Sequence, residues 1–278
     1  MTSRPAAPPA KRAHASGKAA AVTAQVQSLT RGLSILECLA KAEGGLTLTD
    51  VGQRVQLPPS TVHRLLATLE RMGYVYQAGE LGRWYVGLQA FAVGSSFLAS
   101  RDFIAQSHPY MRRLMDQSGE TVNLAILDGT EAVFVDQVQC REMMRTIVKL
   151  GSRAPLHASG VGKAMFASLP DDQIDAILKV RGLPRITGNT ITTPETMWAS
   201  IRVIRQRGWS FDDEEHAQGT RCVASPIYDE HAETLGAISL AGPSSRLPDE
   251  RIRQLGPLVA HAAAELTHRL GGKWPHGR

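Results

Sequence analysis

Several things are scarce or missing in this 278-residue chain, and each absence removes a class of protein. There are three cysteines, Cys38, Cys140 and Cys222, widely separated, with no CxxC pair and no histidine at ligand spacing. Neither a disulfide framework nor a zinc site is indicated, so no metal is expected and a reducing cytoplasm is the expected compartment. No apolar run is long enough to span a bilayer, and the first 24 residues, rich in Ala, Pro, Ser and Lys/Arg, lack the continuous apolar core of a secretory signal. No membrane partner is therefore expected. A GxSxG elbow is absent, which leaves His108, His157 and Ser159 without the setting of a serine nucleophile. Gly162-Lys163 is not the end of a P-loop either. His157 stands where the first glycine would be needed and Ala164 where Ser or Thr would be. Nucleotide binding is disfavoured, no cofactor is expected, and no internal repeat is present.

Acidic residues are missing from one region in particular. Up to residue 25 there are four basic residues and no acid, from 26 to 90 six and five, and from 101 onward 21 of each. The whole excess of +5 therefore lies in the first 90 residues. A basic arm is drawn to phosphates without regard to sequence, although a solvated tail would have the same composition.

Thr47 to Met72 organises the chain. Thr47-Leu48-Thr49-Asp50 has the form of a capping box, which predicts a helix starting near Thr47 with Leu48, Val51 and Val55 on one face. Gln56-Leu57-Pro58 interrupts it. A second helix follows, with Val62, Leu65, Leu66, Leu69 and Met72 on its inner stripe and Ser60, Thr61, His63, Arg64, Thr68 and Arg71 outside. A short helix, a tight turn and a helix with a small-polar and basic outer face suit entry into a major groove about 12 Å wide. Tyr74–Gln77 and Trp84–Val86 alternate like the two strands of a wing. Ahead of this unit, Val26–Ala40 reads as a helix with Leu29, Leu33, Leu36 and Leu39 packing behind the pair.

Beyond the wing, Leu88–Arg101 is helical and uncharged until Arg101, which suits packing against a second copy. From about Phe103 the pattern becomes mixed. Helices are expected over Ile104–Gln117, Gly162–Ala167, Asp171–Val180, Pro194–Arg207 and Asp249–Leu270. Strands are expected over Val122–Leu127, Ala132–Gln137, Thr146–Lys149, Trp209–Phe211, Arg221–Ile227 and Gly236–Ala241.

Two stretches in this second half carry chemistry. Ala158-Ser159-Gly160-Val161-Gly162 leads into a helix, whose positive end can hold a small carboxylate on backbone N–H groups. On the strand Ala237–Ala241 the small residues Ala237, Ser239 and Ala241 share one face, with Ile238 and Leu240 on the other. Small Cys222 and the carboxylate of Asp212 can line the same hollow. Spacing alone favours a tight sheet-on-helix layer in which the small residues merely allow close approach. The acidic run Asp212–His216 reads as a solvated loop with one inward aspartate rather than a hard-metal site.

Three segments together resemble the IclR family of bacterial transcriptional regulators: Gln25–Leu33, Leu57–Leu66 and Pro155–Ala164, extended by Phe211–His216, Ala237–Ser239 and Pro243–Arg246. The resemblance spans nearly the whole chain after the tail. It implies an α+β protein with an N-terminal winged helix-turn-helix, a linker helix and a C-terminal GAF-like α/β effector domain. On that plan residues 1–24 are a disordered basic tail, 25–87 the DNA-binding domain, 88–102 the linker helix, 103–272 the effector domain and 273–278 a tail. The implied partners are a double-stranded DNA operator, a small-molecule effector and a second copy or copies, as a homodimer or homotetramer.

Ser60, Thr61, His63 and Arg64 are then expected to face the groove, Arg64 as the base reader, with Thr47 and Arg83 on phosphates. The resemblance is nearest to regulators of the glyoxylate bypass, with an allantoin-type repressor second. It implies that Gly160, Val161, Asp212, Cys222 and Ser239 bind glyoxylate or pyruvate, beside an apolar wall containing Met143. Two positions depart from that pattern: Ala241 replaces a second serine and Thr146 replaces a methionine of the wall. A regulator without a reaction of its own is the expectation. An activator of a glyoxylate-consuming pathway, a sensor of an aromatic acid, and a 2-oxo-acid enzyme fused to a DNA-binding module are the alternatives.

Overall fold

The structure, a computed structural model, describes residues 26–99 and 102–275. The expected basic tail and the Ser100-Arg101 end of the expected linker lie outside the described residues. The chain divides into two compact units, Met1–Gly94 and Ser95–Arg278.

The first unit is built from α1 (Gln27–Ala40), α2 (Leu48–Val55), α3 (Pro59–Arg71) and a hairpin of β1 (Val75–Ala78) and β2 (Arg83–Val86). The capping box at Thr47 is present in both directions. Asp50 N donates to Thr47 Oγ1 at 3.2 Å, and Thr47 N and Oγ1 donate to Asp50 Oδ2 at 3.1 and 2.7 Å. Those bonds hold the Asp50 carboxyl below its usual range. Gln56 ends α2 in the left-handed conformation, φ 53°, and Pro58-Pro59 starts α3. Ile35, Leu39, Leu46, Val51, Val62, Leu66, Val75 and Trp84 form the core. Part of the stripe expected on α1 is not in it: Leu29 and Leu33 are 61% and 52% exposed, because Gly32, Ile35 and Leu39 form the buried face. Met72 at the end of α3 is exposed as well. From Leu88 to Ala99 runs α4.

The second unit centres on a six-stranded antiparallel sheet in the order β5-β4-β3-β8-β7-β6. Its strands are β3 (Thr121–Asp128), β4 (Glu131–Val138), β5 (Arg153–Pro155), β6 (Ser210–Asp213), β7 (Thr220–Tyr228) and β8 (Thr234–Pro243). Thr146–Lys149 forms no strand; hydrogen bonding to β4 is made by Arg153–Pro155 instead. One face carries α5 (Asp102–Ser118) and α9 (Asp249–Arg269), with Met111, Leu114, Leu124, Ile238, Leu240, Val259 and Leu266 between them and the sheet. The other face carries α6 (Gly160–Ser168), α7 (Asp171–Arg181) and α8 (Pro194–Arg207), around Ala125, Phe134, Met165, Phe166, Ile201, Ala224 and Ala237. The alternation in β8 thus has a physical cause. Ile238 and Leu240 fill the α5–α9 side, and only small residues face α6, so the helix can approach closely.

No helix among the described residues is long and apolar enough to cross a membrane.

Candidate effector and DNA-binding sites

Strand register assembles the candidate effector site. Asp212 pairs with Cys222, Cys222 with Ala241, and Ala241 with Thr121, a row across β6, β7, β8 and β3. Two residues further along, Ser210, Ala224, Ser239, Asn123 and Gln137 form a parallel row on the same face. Over these rows sits the N-terminus of α6. Its cap is Ser159, which accepts from Gly162 N at 3.1 Å while donating to Pro155 O at 2.8 Å. Gly160 is pressed against Cys222: a Cβ there would lie 2.5 Å from Sγ. At Gly162 a Cβ would meet Pro155 O at 2.3 Å, so both glycines are required by close approach. Ser210 Oγ locks the arrangement by donating to Gly160 O at 2.7 Å.

The polar groups of the site are desolvated. Burial pushes the Asp212 carboxyl up to about 7, opposed by the charge of Lys163 and by the Glu215 N–H, which donates to Asp212 Oδ1 at 2.8 Å. The Cys222 thiol is pushed up to about 12, chiefly by burial and further by Asp212, so it is a neutral S–H group. Burial also lowers His216, with His157 adding to the effect. Ser239 Oγ is buried with no nitrogen or oxygen partner, and it lies against the Cys222 thiol.

Beneath the site lies a pair that the sequence reading missed. Lys163, buried on α6, donates to Glu215 Oε1 and to Phe211 O. Glu215 is therefore a second inward acid of the Asp212–His216 segment, contrary to the expectation of one. Its other oxygen, Oε2, is buried and unpartnered. A lysine one turn into a helix with an acid 52 residues downstream leaves no local signal. A second missed pair is Glu120, buried before β3, gripped bidentately by Arg246 at 2.8 and 2.6 Å.

Not every expected wall residue is brought to the group. Met143 is 96% exposed, on the segment between β4 and β5, and Thr146 is half-buried on the same segment. Arg246 Nη1 holds that segment at Met144 O, 2.6 Å. Among the described residues no cluster of His, Cys, Asp and Glu has the arrangement of a metal site.

In the first unit, α3 presents Ser60, His63, Arg64, Thr68 and Arg71 to solvent, with Thr61 half-buried. No side chain caps this helix; Pro59 supplies no N–H to its first turn, and Thr61 N donates to Pro58 O at 3.0 Å. The other two expected residues have structural bonds. The Thr47 hydroxyl is engaged in the capping box, and Arg83 Nη1 donates to Gly45 O at 3.0 Å, tying the hairpin to the loop before α2.

A helix-turn-helix with a wing, joined to a sheet domain with a small polar site at a helix N-terminus, is the build of a ligand-responsive DNA-binding regulator. The comparisons agree: residues 28–79 match the IclR helix-turn-helix domain and residues 95–268 the bacterial transcriptional regulator IclR C-terminal domain. The chain belongs to the IclR family of transcriptional regulators and is not an enzyme. It is 50% identical to the acetate operon repressor of Salmonella typhimurium over 95% of this chain and 97% of that one. With the transcriptional repressor IclR of Escherichia coli it shares 49% over the same fractions. The IclR crystal structure from Thermotoga maritima superposes with a TM-score of 0.76 at 26% identity, covering 89% of this chain and all of that one.

Proposed function

We propose that this protein is a cytoplasmic repressor of glyoxylate- and acetate-related genes whose hold on its operator is set by a small 2-oxo acid, glyoxylate or pyruvate. The observation that carries this reading is the meeting of an α6 N-terminus at Gly160 with the sheet face of Asp212, Cys222, Ser239 and Ala241. Helix-end N–H groups suit a carboxylate, the buried Ser239 hydroxyl, with no nitrogen or oxygen partner, suits a carbonyl oxygen, and the small side chains suit a short ligand rather than an aromatic one. With Ala241 in place of a serine, one hydrogen bond is lost, a weakening on the order of 1 kcal/mol. DNA would be read by Ser60, Thr61, His63 and Arg64, with Arg64 on guanine, and held at phosphates near Thr47 and Arg83.

The regulator would act as a homodimer or a pair of dimers. A groove of about 940 Å³ in the first unit runs from Leu29 and Leu33 of α1 to Thr61, Arg64 and Thr68 of the reading helix, and the exposed leucines at its α1 end are suited to a second copy while its α3 side is left to DNA. Two recognition helices held by such contacts would match two half-sites, and an effector would act by its different affinity for two arrangements of the pair.

The test is selection of bound fragments from the source genome, followed by gel-shift titration with glyoxylate and with pyruvate. Fragments upstream of glyoxylate or acetate genes whose retention responds to either acid are the expected result. Fragments of unrelated genes, or retention indifferent to both acids, would refute the reading.

A further inference from the structure

The thiol in the effector site is placed for chemistry that a hydrogen-bonding role does not require. Cys222 Sγ lies 2.5 Å from where a Cβ on Gly160 would fall, at the α6 N-terminus, and in a 2-oxo acid the carbonyl carbon is one bond from the carboxylate. Ser239 Oγ, buried with no nitrogen or oxygen partner, lies beside that thiol on the same sheet face one strand away. Asp212 stands opposite Cys222 in the strand register. Resting on the 2-oxo-acid reading above, we propose that Cys222 adds reversibly to the aldehyde carbon of glyoxylate, so that the bound effector is a hemithioacetal.

The step balances without a further reagent. The Asp212 carboxylate takes the proton from Sγ, a sulfur lone pair forms the C–S bond, and the C=O π pair moves onto oxygen, which receives the proton. The sum is addition of S–H across C=O, with nothing oxidised and no group expelled. Hydrated glyoxylate first loses one water. The new hydroxyl falls to Ser239, whose buried Oγ lies beside the Cys222 thiol with no nitrogen or oxygen partner. Because the ligand-free thiol is neutral, pushed up to about 12, the addition needs a base beside it and reverses readily. Pyruvate presents a less electrophilic ketone carbon bearing a methyl group, and it binds without the bond. The site thereby separates an aldehyde acid from a keto acid of nearly the same size.

The test uses full-length protein and glyoxylate carrying ¹³C at the aldehyde carbon, read by NMR. A protein-bound tetrahedral signal upfield of the hydrate is expected, lost in Cys222→Ser and retained when Cys38 and Cys140 are both replaced by serine. In calorimetry Cys222→Ser should weaken glyoxylate by about tenfold or more while pyruvate changes by less than about threefold. Saturable glyoxylate heat with the label bound only as hydrate or free aldehyde would overturn the adduct and leave the 2-oxo-acid reading standing. A mass increment fixed on Lys163 by borohydride would place the bond on the amine and overturn the thiol assignment. No heat from glyoxylate at all would overturn both.

Discussion

Lys163 and Glu215 form a buried ion pair that ties α6 to the end of β6, three residues from Asp212. The helix end that would hold a carboxylate and the strand end that carries Asp212 are therefore one mechanical unit. Removing the lysine leaves an uncompensated charge in the interior. Lys163→Met should cost about 3–5 kcal/mol in urea unfolding, and adding Glu215→Gln should recover part of that loss. A single variant as stable as wild type would show that the pair is not held as described.

Asp212 makes stability depend on pH in a known direction. Its carboxyl is raised from 3.8 to about 7 in the folded chain, so between those values the folded state binds more protons than the unfolded one. By linkage the Asp212 contribution is fully present below pH 4, falls as pH rises, and is gone above about 7. The stability of wild type relative to Asp212→Asn should decline over that window, by up to about 4 kcal/mol. Parallel curves for the two proteins would refute the raised value.

The same proton bears on the ligand. An incoming carboxylate is repelled by an ionised Asp212, so 2-oxo-acid affinity should fall as pH rises through about 7, and Asp212→Asn should flatten the profile. Asp212→Ala should abolish the effector response without loss of basal DNA binding, checked by gel shift with and without the acid.

Gly160→Ala places a methyl group 2.5 Å from Cys222 Sγ, inside van der Waals contact. Overpacking of this kind costs about 1–3 kcal/mol, and effector binding should be lost while operator binding persists. Unchanged effector affinity would show that Gly160 and Cys222 do not bound the site.

On the DNA side, Arg64 stands exposed on α3. Arg64→Ala should weaken specific binding by about 1–3 kcal/mol and leave effector titration unchanged. An unaltered operator affinity would displace α3 as the reader.

What sequence made legible was set by local physics. Thr47 and Asp50 are three residues apart, so their capping box reads directly, and β8 shows its two faces because Ile238 and Leu240 alternate with Ala237, Ser239 and Ala241. Thr146–Lys149 had the alternation of a strand without the partner; pairing with β4 went to Arg153–Pro155, a choice made by tertiary contacts. Leu29 and Leu33 had helical spacing, yet the turn of α1 gives the core to Ile35 and Leu39. Lys163–Glu215 and Glu120–Arg246 join residues 52 and 126 positions apart, which no window along the chain can see.

The most direct measurement is calorimetric titration of the purified protein with glyoxylate, pyruvate, allantoin and 4-hydroxybenzoate. Saturable heat from glyoxylate, alone or with pyruvate, and its loss in Asp212→Ala, is the predicted result. Silence from both 2-oxo acids with saturable heat from allantoin or 4-hydroxybenzoate would contradict the account and show that the site, with Ala241 in its row, takes a different ligand.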